Sequence, residues 1–213
     1  PPTATPLSNS ISFTAPVFSQ TLDPGETVMG TQLTYVGQTD GAYDVTINGL
    51  PATKRTGGSF NWEGVDAPGV FGNYNLRLTA DILNRGLTVA GPVEGVVVYP
   101  APHEILTVPE TAYLIYNNIA IDYRIPVGRE LPGTPLVYQG ISNQIVNNAC
   151  GTTVNDLAVF TGFAGYPCFA IGDTLEWKGQ LSPNVTVSYA LLARSISAEE
   201  VVFTGTAQLW VNE

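Results

Sequence analysis

Two stretches far apart in the chain share one frame, Trp-x-Gly-x-x-x-Pro followed by a turn residue: WEGVDAPG at 62–69 and WKGQLSPN at 177–184. At an offset of 115, residues 62–78 lie over 177–193 and share Trp, Gly, Pro, Val, Tyr and Leu, six identities in 17 positions. At an offset of 103, GETVMGTQLTYVG (25–37) lies over GRELPGTPLVYQG (128–140) with six identities in 13 positions. LTVAGPVEGVV (87–97) lies over VVFTGTAQLWV (201–211) at an offset of 114, sharing a central Gly and the last Val. Random pairing of the first two blocks would give roughly two matches at ordinary residue frequencies, against twelve in 30. Blocks that repeat in order mark an internal duplication. The jump in offset places 12 extra residues in the second copy, in the stretch that holds Cys150 and Cys168.

The copies read as all-β, two tandem immunoglobulin-like β-sandwich modules. ISFTAPV (11–17) alternates Ile11, Phe13, Ala15 and Val17 on one face, the period of a half-buried strand. AYDVTINGL (42–50) alternates and stops at Asn48-Gly49, a hairpin signal. YNLRLTADI (74–82) and TVSYALLA (186–193) continue the pattern, and GVVVYP (95–100) and TAQLWV (206–211) serve as closing strands. Such spacing, with Gly, Pro or Asn between strands, is that of a sandwich. One segment, 193–201, is readable as helix. Domains are expected at 1–104, with an extended N-terminal leader, and 105–213, with a stapled loop. The Pro-rich stretch 100–110 is expected to be a stiff connector that resists strand pairing. In the repeated block, Trp62 or Trp177 is expected to cover the core edge, the following Gly to permit a tight turn, and Pro with Gly69 or Asn184 to end the connection.

LEWKGQLSPNVTVSY, followed by VFTGTAQL, resembles the conserved immunoglobulin-like repeat domains of bacterial cell-surface proteins. The resemblance covers both halves, better in 128–213 than in 1–102. It implies a tandem surface or filament module, with no catalytic residues to carry over.

The formal net charge is −10, divided between eight acids and four bases in residues 1–102 and ten acids and four bases in 103–213. No basic patch is present to neutralise phosphates, which argues against nucleic acid. An anionic membrane surface would repel the chain, and no apolar run of about 18 residues predicts membrane insertion. The opening PPTATP reads as the start of a mature, secreted chain after signal-peptide removal. Cys150 and Cys168 are expected to form a disulfide, as paired cysteines of an exported protein do. Asn184-Val185-Thr186 is a candidate N-glycosylation triplet at Asn184.

Residue types that carry catalysis are scarce. His103 is the single histidine, set in the connector, and no Gly-x-Ser-x-Gly segment accompanies it. One His and two paired Cys do not make a zinc site, and Asp40 and Asp44 fit a turn better than calcium, which needs six to eight oxygens. Neither Lys54 nor Lys178 suits a strand-to-strand covalent bond with Asn, and Glu199-Glu200 reads as an acidic turn. No cofactor, no metal and no enzymatic activity are therefore expected. Phe160, Phe163, Tyr166 and Phe169 form a candidate contact loop, or else seal the second core. Trp210, Tyr113, Tyr116, Tyr123 and Tyr138 are candidates for a sugar-binding platform.

The expected function is that of an extracellular or cell-surface structural protein, a filament or surface-layer subunit whose partner is itself. Ile11, Phe13, Ala15 and Val17 are its candidate assembly strand, donated to a neighbour's sheet edge. A carbohydrate- or ligand-binding accessory module, with a glycan partner, and a virion capsid or tail protein are the alternatives.

Overall fold

The computed structural model describes residues 9–80, 86–145, 150, 156–162, 165 and 167–213. They are all-β, apart from one 3-10 turn at Ser142–Gln144. Two compact units are present: residues 1–99, 112–118 and 211–213, and residues 100–111 and 119–210.

The first unit contains β1 (Ser10–Leu22), β2 (Leu33–Thr39), β3 (Ala42–Ile47), β4 (Leu50–Lys54), β5 (Ser59–Ala67), β6 (Val70–Ala80) and β7 (Leu87–Val98). They form two antiparallel sheets, ordered β1-β7-β6-β5 and β2-β3-β4. Alternation decides which side is buried: Tyr74, Leu76 and Leu78 of β6 face inward, as do Tyr35 of β2 and Val45 of β3. Two hairpins follow directly from sequence. Asp40-Gly41 joins β2 to β3 and Asn48-Gly49 joins β3 to β4, all four residues having positive φ, as a type I′ connection requires. Asp44 spends its carboxylate on the hydroxyls of Thr39 and Thr53, at 2.8 and 3.2 Å.

The second set is β8 (His103–Glu104), β9 (Leu114–Pro126), β10 (Val137–Ile141), β11 (Ala158–Thr161), β12 (Cys168–Phe169), β13 (Thr174–Ser182), β14 (Val185–Ile196) and β15 (Glu200–Val211). Its sheets run β8-β13-β14-β15-β9 and β10-β11-β12. Apart from the added β8, the strand order repeats that of the first set, with β9 in the place of β1. The local bonding repeats too. Seven hydrogen bonds around Gly25–Tyr35 recur around Gly128–Tyr138 at an offset of 103. Gly25 N–H donates to Tyr35 O, and Gly128 N–H to Tyr138 O, both at 2.7 Å. At an offset of 115, Gly57 N–H donates to Leu78 O and Gly172 N–H to Ala193 O.

Four expectations need correction. Residues 193–201 are not helical: they end β14, turn and begin β15, because Ser197 Oγ accepts from the N–H groups of Glu199 and Glu200 and fixes a hairpin. The 100–110 stretch pairs with a sheet: β8 lies beside β13, Ala101 N–H donates to Leu181 O, and Ile105 N–H to Lys178 O. Proline is tolerated there because β8 is an edge strand. Gly64 and Gly179 lie inside strands rather than in turns. Each makes room for the ring two residues earlier: a Cβ would stand 2.5 Å from Trp62 Nε1 at Gly64 and 1.9 Å from Trp177 Cη2 at Gly179. In β1 the alternation fails at Pro16: the register shifts between Ala15 and Phe18, so Phe18 is buried and Val17 is 68% exposed.

Cys150 and Cys168 are joined in a disulfide, packed against Val159 and the half-buried Ile145 and Leu157. The sequence separation is 18, a loop whose closure is worth about 3 kcal/mol in the chain-entropy model. Reduction should lower the stability of residues 119–210 by that order and leave β1–β7 unchanged. Amide exchange under reducing and oxidising conditions checks this; equal loss of protection in both sets of strands would contradict it.

Candidate functional site

Three features of the first unit stand apart from the repeated framework. The first is a buried polar cluster. Asp66, 5% exposed at the end of β5, has Tyr74 Oη 2.8 Å from one of its carboxyl oxygens and Tyr116 Oη 2.7 Å from the other. The two phenol oxygens lie 2.7 Å apart. Glycines make the space: a Cβ on Gly72 would stand 2.6 Å from Asp66 Oδ2, and one on Gly30 would stand 1.9 Å from Tyr74 Oη. The rings of Phe13 and Phe18 close over Tyr116 and Tyr74.

Proton counting decides the charge of this cluster. Three oxygen–oxygen contacts need three hydrogens, and the two phenols supply two. An ionised Asp66 leaves one contact without a proton, whereas a neutral carboxylic acid completes a closed ring of three donors and three acceptors. Burial acts in the same direction, raising the Asp66 carboxyl above the usual range against the opposing pull of the Tyr116 and Tyr74 hydroxyls. Burial also raises Tyr74 and Tyr116, with Asp66 adding to both. At an offset of 115, Asp66 becomes Leu181 and Gly72 becomes Val187, both fully buried. The second unit fills with hydrocarbon the space where the first holds an acid, so the architecture does not demand the acid.

The second feature lies on the opposite, solvent-facing side of the sheet. Cross-strand register sets Val65, Phe71 and Val96 in one row and Glu63, Asn73 and Glu94 in the next. Asn61 opposite Asn75 continues the same face. These rows line two adjoining hollows, of about 570 Å³ and about 320 Å³. Phe71 is 46% and Val65 62% exposed, an uncovered apolar strip beside a row of amides and carboxylates. The third feature is β1 itself, an edge strand paired only with β7 in its sheet. Of the candidate assembly residues, Phe13 and Ala15 are buried, Ile11 is half-buried and Val17 is exposed.

The other singled-out residues disperse. Phe160 and Phe169 are buried, ring to ring with Phe203, and so seal the second core; Phe163 and Tyr166 lie outside the described residues. Tyr138, Tyr116 and Trp210 are buried as well, and Tyr113 and Tyr123 are half-buried, so three of the five rings named for a sugar platform are closed to solvent. Tyr138 donates its hydroxyl to Ser197 O, and Tyr116 belongs to the acid cluster. Asn184 is half-buried in the β13–β14 turn, with Thr186 buried beside it. His103 is exposed in β8. Among the described residues, no three His, Cys, Asp or Glu side chains gather as a metal-holding group, and no helix is long and apolar enough to cross a membrane. Sequence reasoning passed over Asp66 and the Phe71 face. Both positions differ at an offset of 115, where Asp66 stands over Leu181 and Phe71 over Thr186.

The chain matches no family model, no curated protein and no solved structure.

Proposed function

We propose that this chain is a non-enzymatic extracellular structural protein, one module written twice, that assembles into a filament or surface layer by donating its first strand. The observation that carries the reading is the division of β9. Residues 112–118, which open that strand, belong to the first unit, and residues 119–126 belong to the second. The change falls at Asn117 and Asn118, exposed between buried Tyr116 and Ile119, with Asn118 at φ 54. The shift at Pro16-Val17 stands at the matching place in β1. The first strand of the second copy thus gives its opening residues to the preceding unit. A first strand that passes from one unit to another within the chain can also pass between chains, and β1 would then lie against β7 of the subunit ahead.

The energetics suit exchange. β1 brings Phe13, Ala15, Phe18 and Leu22 to the core, and an identical strand from a neighbour would bury the same side chains against the same partners. Exchange between head-to-tail copies does not close, and so gives an open polymer. The disulfide fits an oxidising compartment, and the recurring hydrogen bonds support duplication. Negative-stain images and light-scattering mass of the purified chain test assembly: filaments are expected, and a single species of 22.6 kDa at every concentration would contradict it.

A further inference from the structure

We propose that the solvent-facing side of β5, β6 and β7 is a binding site for an uncharged oligosaccharide. The inference is independent of the assembly reading. In the internal alignment the residues shared by the two copies, Trp, Gly, Pro, Val, Tyr and Leu, belong to the inward face or to the turn. The groove positions are not kept: Glu63, Val65, Phe71, Asn73 and Asn75 stand opposite Lys178, Gln180, Thr186, Ser188 and Ala190. The fold tolerates either set, so this face of the first unit is free of architectural demand. It exposes Phe71 and Val65 to water side by side across the strands, a contiguous apolar strip with a polar rim of the kind that marks ligand-binding grooves.

The chemistry of the groove selects its occupant. Neither hollow is lined by Lys or Arg, so no anion is compensated. Glu63 and Glu94 flank Asn73 across the strands, alternating acceptor-only carboxylates with a carboxamide that both donates and accepts. A cationic partner would satisfy the carboxylates but leave the amide donors of Asn61, Asn73 and Asn75 unpaired, and would have no use for the apolar row. A pyranose has hydroxyls that donate and accept at its edge and carbon–hydrogen groups on its face. Its face can lie on Phe71 while its edge meets the Glu63–Asn73–Glu94 row one step along the strands, roughly 7 Å away.

The test is a titration of the full ¹⁵N-labelled chain with cellohexaose, maltohexaose, mannohexaose and chitohexaose, and with pentalysine as the cationic probe. At least one neutral hexasaccharide should move the amide signals of β5–β7 and leave those of β13–β15 in place. Phe71→Ala and Asn73→Ala replace exposed side chains and should retain the wild-type spectrum elsewhere. Each should weaken binding by about tenfold or more, equivalent to about 1.4 kcal/mol. Response to pentalysine alone, response to no probe, or saccharide binding unchanged in both variants would overturn the assignment.

Discussion

Gly91→Ala and Gly205→Ala should each lower stability by about 3 kcal/mol, the upper end of what overpacking a close-packed interior typically costs. Neither glycine is needed for an unusual φ; both are needed for space. A Cβ on Gly91 would stand 2.1 Å from Asn75 O and 3.0 Å from Leu76 Cα. On Gly205 it would stand 2.1 Å from Ala190 O and 2.9 Å from Leu191 Cα. These neighbours are backbone atoms of a central strand and cannot swing aside as a side chain can. The two clashes are the same clash in the two sets of strands, at the position where β7 crosses close to β6 and β15 to β14. Gly37→Ala is the control, since nothing lies within 4 Å of its Cβ position, and it should be neutral or slightly stabilising. Urea denaturation of the three variants checks this. A Gly91→Ala midpoint equal to that of Gly37→Ala would show that the strands do not approach as described.

Asp66→Asn should stabilise the protein at neutral pH and remove the contribution of Asp66 to the pH dependence of its stability. The folded state raises the Asp66 carboxyl above its unfolded value, so the folded form binds the proton more tightly. Its contribution is complete below the unfolded value, about 3.9, and is lost as pH rises through the folded value. An Asn side chain donates one N–H and accepts one O–H, so it can close the ring with Tyr74 and Tyr116 at every pH. Other carboxylates also titrate, and relief of the −10 net charge stabilises the acid form generally. The quantity to measure is therefore the difference between Asp66→Asn and the wild type from pH 4 to pH 8. It should grow with pH in favour of Asn. A difference that shrinks with pH would mean that Asp66 is held as a carboxylate, and the proton count would be wrong.

The strands were legible because both signals that define them are local. Alternation in AYDVTI and the Asn48-Gly49 turn need only neighbouring residues to be read, and the structure places β3 and its hairpin there. The disulfide was legible from the cysteine count alone. What escaped depended on partners distant in sequence. ARSISAEEV has helix-compatible residues, but Ser197 captures the local N–H groups and the flanking strands pair over their length. Gly64 and Gly179 suggested turns because glycine does so in isolation; only the ring lying over each explains why it sits in mid-strand. Val17 continued an alternation that Pro16 breaks, and the core takes Phe18 in its place. Asp66, two residues before Pro68, carries no local sign of burial. Its partners Tyr74 and Tyr116 are 8 and 50 residues away, and only Leu181 at the aligned position signalled burial. Phe71 carries no local sign of exposure, and the tyrosines that suggest a platform by their abundance are largely interior.

The assembly account rests on β1 being paired with β7 of a different chain in the polymer. Ser12 and Val96 are directly opposite in the β1–β7 register, within the Cα range that a disulfide spans for either kind of antiparallel pair. The most direct measurement is oxidation of assembled Ser12→Cys/Val96→Cys protein, followed by a non-reducing denaturing gel. Strand donation predicts a ladder of covalent multimers. Assemblies that yield only the single-chain band, with the cross-link formed inside each chain, would contradict it.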